Sequence, residues 1–292
     1  MENEIKTRLK GINRLLEGQG FTVVYKSIFK NNRNRDAVVL KAEKDSCSPV
    51  IYFDDRVWMG TDREIAGYLK KFYQEYGGDR DVEELQSKEY ILDHVLTRVV
   101  SKDSIPELER GGVAYVPLMD MAVYFYVPLK EALEEDATLS SFNILDDMLQ
   151  QAGIGVEELY QAAKDNAGQE CRICPIENML MGYLGIPVPE EMGSDCLKML
   201  VVTNRWGILG SGLVASDKAM EKVAGMLGSR FLILPSSIHE LICIPAVQGT
   251  VSDCADLVAQ INADHVRPDE RLTDSVYIWD NGNLECHPHK AG

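Results

Sequence analysis

Residues 236–240 read Ser236-Ser237-Ile238-His239-Glu240, two hydroxyls, an imidazole and a carboxylate within five positions. A serine nucleophile needs its Oγ within hydrogen-bond reach of a histidine nitrogen, with a third group orienting the ring. Asp274, further along the chain, is a distant carboxylate that would complete a Ser/His/Asp set. The local string does not make one by itself. Read as the start of a strand, its alternation sends His239 and Glu240 to opposite faces. The plainer reading is a turn after Pro235 whose serines bond to backbone.

Cys171-Arg172-Ile173-Cys174 is a C-x-x-C. Two thiols at that spacing share a zinc ion or form a redox pair when the chain turns back on itself. Zinc needs about four ligands, and the natural second half, Cys286-His287-Pro288-His289, is over a hundred residues away. Pro175 follows the pair, in a mostly helical region, where a redox motif would instead open a helix after a strand. The reading is therefore structural thiols, with no metal or cofactor expected and Cys171 and Cys174 as residual metal candidates. Asp264, His265 and Asp274 flank the charged stretch 267–271 and read as a solvated loop. His94 lies in an apolar stretch and reads as a core histidine. Lys30, Arg33 and Arg35, with Lys26 and Lys41 nearby and Tyr25 and Phe29 interleaved, make a basic hairpin tip that could touch RNA or an acidic partner.

Composition weighs against nucleic acid as the expected ligand. The 292 residues carry a formal net charge of −16, which repels phosphate backbones and anionic membrane. The charge is uneven: residues 1–72 hold 14 basic and 10 acidic residues, the remainder 16 and 36. The first residues lack the basic and apolar regions of a secretory leader. The most apolar stretch, 112–129, contains Pro117, Asp120 and Pro128 and fits a buried sheet better than a membrane span. Seven cysteines without a leader read as reduced thiols in a cytoplasmic protein.

These residues need elements to position them. Ile5, Leu9, Ile12 and Leu16 recur at helical spacing, and three strands follow at 21–29, 36–42 and 49–53. Thr61 and Glu64 have the spacing of a capping box opening a helix. Residues 81–85 read as a short helix, 90–100 as helix or strand, and 119–127 as a buried strand. Helices are expected at 142–152, 156–167 and 176–184. The last hundred residues alternate hairpins with helices: strands at 197–203 and 207–214, a helix capped by Ser216, strands at 231–234 and 239–244, a helix opened by Thr250 or Ser252, and a final hairpin across Asn281-Gly282. The fold expected is α+β: an antiparallel meander with helices at the N-terminus, a helical middle segment, and a C-terminal ββαββαββ antiparallel layer covered on one face. Two domains are expected, 1–140 and 141–292.

The run Phe231-Leu-Ile-Leu-Pro-Ser-Ser-Ile-His-Glu240 resembles domain-of-unknown-function family 5688, a bacterial family. Leu200-Val-Val-Thr-Asn204, Leu272-Thr-Asp-Ser-Val-Tyr277, Met119-Asp-Met-Ala-Val-Tyr-Phe and Val156-Glu-Glu-Leu-Tyr160 fit the same pattern in the same order. The resemblance covers roughly residues 5–280 and implies a family without an activity. Its polar residues at strand ends, Asn204, Ser236, Ser237, His239, Asp274 and Tyr277, either converge on one edge or fix the geometry of the sheet. Asn204 and Tyr277 mark a candidate binding surface. The function expected is non-enzymatic binding of another protein. The alternatives are a hydrolase using Ser236 or Ser237, His239 and Asp274, and an acidic mimic of nucleic acid that inhibits a DNA-binding enzyme. The sequence sets no oligomeric state.

Overall fold

The computed structural model describes residues 2–42, 48–52, 58–77, 82–129, 141–178, 198–246 and 251–289. It is an α+β fold of antiparallel sheets. The backbone divides into two compact units, Met1–Ser87 and Lys88–Gly292. The boundary expected after residue 140 falls inside the second unit.

In the first unit, α1 (Glu2–Leu16) and α2 (Asp62–Tyr76) cover one face of a three-stranded meander, β1 (Phe21–Lys30), β2 (Arg33–Ala42) and β3 (Val50–Tyr52). Leu9, Ile12 and Leu16 meet Val23, Val38, Leu40 and Ile51, and Ile65 and Leu69 close the core from α2. The capping box is present: the Thr61 side chain accepts from the Glu64 N–H, and the Glu64 carboxylate accepts from the Thr61 N–H at 2.7 Å. Arg8 ties α1 to the entrance of α2 through Asp62 and the carbonyls of Trp58 and Gly60. A short helix, α3 (Val82–Leu85), follows.

The second unit opens with α4 (Lys88–His94) and β4 (Leu96–Ser101), so the ambiguous stretch 90–100 is a helix and then a strand. His94 is exposed and stacks on the Tyr90 ring at 4.2 Å, so it is not the core histidine expected; the helix turns its apolar face, Ile91, inward instead. After α5 (Ile105–Arg110), β5 (Tyr115–Leu118) and β6 (Met121–Pro128) form a hairpin, and β6 also pairs with β4 and β7 (Ser141–Asn143). Then come α6 (Asp146–Ala152), α7 (Val156–Gln169), β8 (Cys171–Pro175), β9 (Leu200–Asn204), a 3-10 segment (Gly210–Ala215), α8 (Asp217–Leu227), β10 (Arg230–Leu234), β11 (Leu241–Pro245), α9 (Val251–Asp264), β12 (Val276–Asp280) and β13 (Asn283–His287). The last six strands make one sheet in the order β13-β12-β10-β11-β9-β8.

Two expectations change here. The ββαββαββ order holds, but the first pair is β8 with β9, not 197–203 with 207–214. The glycines of 207–214 serve close approach instead. A Cβ on Gly212 would overlap the Thr97 carbonyl, and one on Gly210 would overlap the Thr203 hydroxyl. The sheet is also covered on both faces. Phe231, Ile233, Leu241 and Tyr277 share a core with Val99, Phe125, Leu159 and Met220, while Leu232, Leu234 and Ile278 pack against Ala255 and Val258 of α9. Residues 231–234 of β10 are therefore all apolar, because alternate side chains enter different cores. Most of the helix expected at 176–184 lies outside the described residues.

Candidate functional site

Antiparallel pairing puts the end of β9, the end of β10, the start of β11 and the start of β12 at one end of the six-stranded sheet. Asn204, Ser236, Ser237, His239 and Tyr277 therefore gather there, with Asp274 just before β12. They fall into separate hydrogen-bonded groups.

His239 and Glu240 lie in the bend before β11, not within a strand. The His239 Nδ1 accepts from the Leu209 N–H at 3.3 Å, which places the proton on Nε2, and Nε2 faces the Glu270 carboxylate at 3.3 Å. Glu270 is also held by Arg267 at 2.5 Å. Both ring nitrogens are thus engaged without a serine. The Ser237 Oγ accepts from the His239 N–H at 3.1 Å, and its carbonyl accepts the Ser211 hydroxyl at 2.6 Å. The Ser236 carbonyl accepts from the Leu272 N–H. Asp274 accepts from the Asn262 amide at 2.6 Å. Burial pushes the Glu240 carboxyl up; His239 pulls it down and Glu270 adds to the push.

Tyr277 belongs to a second group centred on Asp120, in the tight turn between β5 and β6. The hydroxyls of Thr273, Ser275 and Tyr277 all donate to this carboxylate, and the Cys286 thiol lies 3.7 Å away. Burial pushes Asp120 up, but the hydroxyls of Ser275, Thr273 and Tyr277 outweigh it and hold the group below its ordinary value. Burial first, and then the bond to Asp120, push the Tyr277 phenol far up.

Asn204 stands in a third place. Its amide donates to the Ile208 carbonyl at 2.8 Å and its oxygen accepts from the Trp206 N–H at 3.1 Å, so it shapes the loop that leads to the 3-10 segment. Beside it is a small cleft lined by Leu96, Thr97, Tyr126, Glu170, Asn204 and Leu213 among others. Glu170 is paired with Arg205 at 2.9 Å. Behind Tyr126, the Arg98 guanidinium stacks on its ring at 3.7 Å.

Cys171 and Cys174 lie on β8 opposite Asn204 and Val201. Three residues apart on a strand, they point to opposite faces, so the two thiols are not brought together. Among the described residues no group of three or more His, Cys, Asp or Glu is placed to hold a metal ion. His289, from the supposed second half, meets Asp256 at 3.0 Å. Asp264 and His265 are exposed. On the first unit's hairpin, the register places Lys26, Lys30, Arg33, Arg35 and Lys41 on one face. Tyr25 and Phe29 are on the other, so the ring that joins the cations is Tyr52, 4.3 Å from the Lys30 Nζ.

Glu270, Asp120 and Arg98 were not singled out by sequence reasoning. Asp120 lies in one of the family-like motifs, which was its available signal. Glu270 lies 31 residues beyond His239, and nothing local marks it.

A model of a family of unknown function, DUF5688, matches residues 1–281. No curated protein and no solved structure matches the chain.

Proposed function

Since the chain belongs to DUF5688, a family of unknown function from which no activity is inherited, we propose that it works without a reaction centre, by binding another protein. The observation that carries this reading is the engagement of the imidazole. Leu209 N–H and Glu270 occupy both nitrogens of His239, so neither Ser236 nor Ser237 has it as a base. The hydrolase alternative loses its support on the same ground. Charge supports a basic partner: residues 1–87 hold 15 basic and 15 acidic residues, whereas 88–292 hold 15 and 31. Electrostatic docking of this kind raises association rates and weakens with salt. The thiols of Cys171, Cys174, Cys243, Cys254 and Cys286 are unpaired, which supports a reducing compartment such as the cytoplasm. Among the described residues no helix is long and apolar enough to cross a membrane.

The test has two arms. The full chain, immobilised, is exposed to lysate of its own cell at low salt and eluted with rising salt; a basic protein that leaves as the Debye length shrinks from ~10 Å to ~3 Å is expected. In parallel the chain is treated with a serine-reactive fluorophosphonate. Labelling of Ser236 or Ser237 that disappears in His239→Gln would overturn the reading.

A further inference from the structure

Leu209 holds a backbone conformation that its residue type resists, and a titratable side chain helps to hold it there. Its φ is 55° and its ψ 31°, in the left-handed region where a Cβ crowds the following carbonyl. It stands between the loop 205–208 and the 3-10 segment Gly210–Ala215. Asn204 fastens the loop, accepting from the Trp206 N–H and donating to the Ile208 carbonyl. The N–H groups of Gly210 and Ser211 are fastened to the carbonyls of His239 and Ile238. Between these two anchored stretches, the Leu209 N–H donates to the His239 Nδ1 at 3.3 Å.

An imidazole nitrogen accepts only while it carries no proton, and in the cation both nitrogens are donors. Protonation of Nδ1 therefore sets a donor against the Leu209 N–H. The other nitrogen has the opposite preference. Nε2 faces Glu270 at 3.3 Å, and the cation turns that contact into an ion pair. The charges around the ring are one-sided. The turn 267–272 supplies Glu270, which Arg267 also holds at 2.5 Å, and Asp269, which meets Arg267 at 3.6 Å. The chain beside the ring supplies Glu240, a carboxyl that burial pushes up against the pull of His239. The stretches on the Leu209 side, 200–204 and 207–212, contain no charged residue. A charged ring is thus kept by carboxylates and dropped by Leu209. Imidazole is the side chain that ordinarily changes charge between pH 5 and 8.

We propose that His239 is a pH-operated catch on the backbone of residue 209: the neutral ring holds Leu209 in its left-handed conformation, and the cation, retained by Glu270, releases it. The two-state element is the Leu209 backbone, and the charge change that biases it is one proton on Nδ1. The release is local. The bonds of Gly210 and Ser211 go to carbonyls that do not sense the ring's proton, so the 3-10 segment stays in place while the loop 205–209 gains freedom. The catch is independent of the protein-binding reading, since it needs neither a partner nor the acidic surface.

The experiment follows the full chain by NMR from pH 8 to pH 5. It reads the Cε1 shift of His239 together with the hydrogen exchange of the Leu209 amide, corrected for the intrinsic pH dependence of exchange. As the imidazole titrates, Leu209 should exchange about tenfold faster, the loss expected of one hydrogen bond. Gly210, bonded to the His239 carbonyl at 2.9 Å, should keep its protection. His239→Asn, which keeps an acceptor near the place of Nδ1 but does not titrate, should hold Leu209 at both ends of the range. His239→Gln, whose amide reaches the place of Nε2 instead, should leave Leu209 fast at both ends. The natural chain decides alone if a variant does not fold. The proposal is overturned if Leu209 exchanges at one corrected rate throughout the titration of the ring, or if Gly210 loosens to the same degree, which would be a general loosening. It is also overturned if the acceleration in acid persists in His239→Asn, which would assign it to Glu240 or Glu270.

Discussion

Thr273, Ser275 and Tyr277 alternate along an extended stretch, so their three hydroxyls emerge on one side and meet a single carboxylate, Asp120. A hydrogen bond to a charged group contributes about 1.5–3 kcal/mol, more than one between neutral groups. Asp120→Asn should therefore lower stability by roughly 2 kcal/mol, a fall of several degrees in thermal midpoint for a unit of this size. The sign with pH follows from the depressed value of the folded carboxyl. A group whose folded pKa lies below its unfolded one stabilises above the unfolded value, about 3.9 for aspartate, and loses that contribution as pH falls through the folded value. The gap between the natural chain and Asp120→Asn should be constant near neutrality and narrow below pH ~4. Denaturant titrations at a series of pH values would read it, and a gap that stays flat into strong acid would show that the carboxylate's charge is not what stabilises the turn. Gly212 gives a steric counterpart. Its carbonyl accepts the Thr97 hydroxyl at 2.9 Å, and a Cβ there would run into the Thr97 backbone. Gly212→Ala should cost about 1–3 kcal/mol by overpacking, against a gain of about 0.5–1 kcal/mol for Gly225→Ala, inside α8, where a Cβ meets nothing within 4 Å.

The strand β8 shows what local reading catches and what it misses. Where a signal is complete within a few residues, the sequence carried it. Thr61 and Glu64 form their capping box. Asn281 and Gly282 both take the positive φ, 49° and 90°, that their hairpin turn requires. Cys171–Pro175 has no such signal. It is a strand because Leu200–Asn204, some thirty residues later, offers it an edge, and pairing partners override propensity in short segments. Residues 207–214 mislead in the opposite sense, since their apolar pattern suits a strand while Gly210 and Gly212 are required by contacts that the pattern does not contain. The candidate site follows the same rule. That the strand-end polar residues gather at one end of the sheet was one of two readings the sequence left open, and Glu270 and Asp120, which hold His239 and Tyr277, are supplied by distant turns. The consequence for Cys171 and Cys174 is measurable. Three residues of strand separate their Cα atoms by about 10 Å, beyond the ~7 Å that a disulfide spans. Mild thiol oxidants should leave the pair unlinked in the folded chain and link it in denaturant, read by peptide mass spectrometry. A linked pair in the folded chain would mean that β8 opens readily or is not a strand.

At the scale of the molecule, the decisive feature is which sheet shares a core with which. The strands at 96–128 fall in the domain expected at 1–140, and their Val99, Val123 and Phe125 are buried in one cluster with Val202, Phe231, Ile233 and Tyr277. Asp120 reinforces this by bonding across to the start of β12. A domain must carry its own core to fold alone, so the two candidate boundaries predict different fragments. Residues 88–292 retain the whole cluster and should fold with a cooperative thermal transition and dispersed amide resonances. Residues 141–292 would leave one face of the six-stranded sheet, Phe231, Ile233, Leu241 and Tyr277, without the side chains of β4 and β6 that cover it. Loss of packing on that scale exceeds the 5–15 kcal/mol by which domains are stable, and so large an apolar face promotes association. The shorter fragment should aggregate or bind hydrophobic dye without a cooperative transition. Equal midpoints for the two fragments would mean that the strands at 96–128 contribute nothing to the C-terminal core, and that the division lies after residue 140.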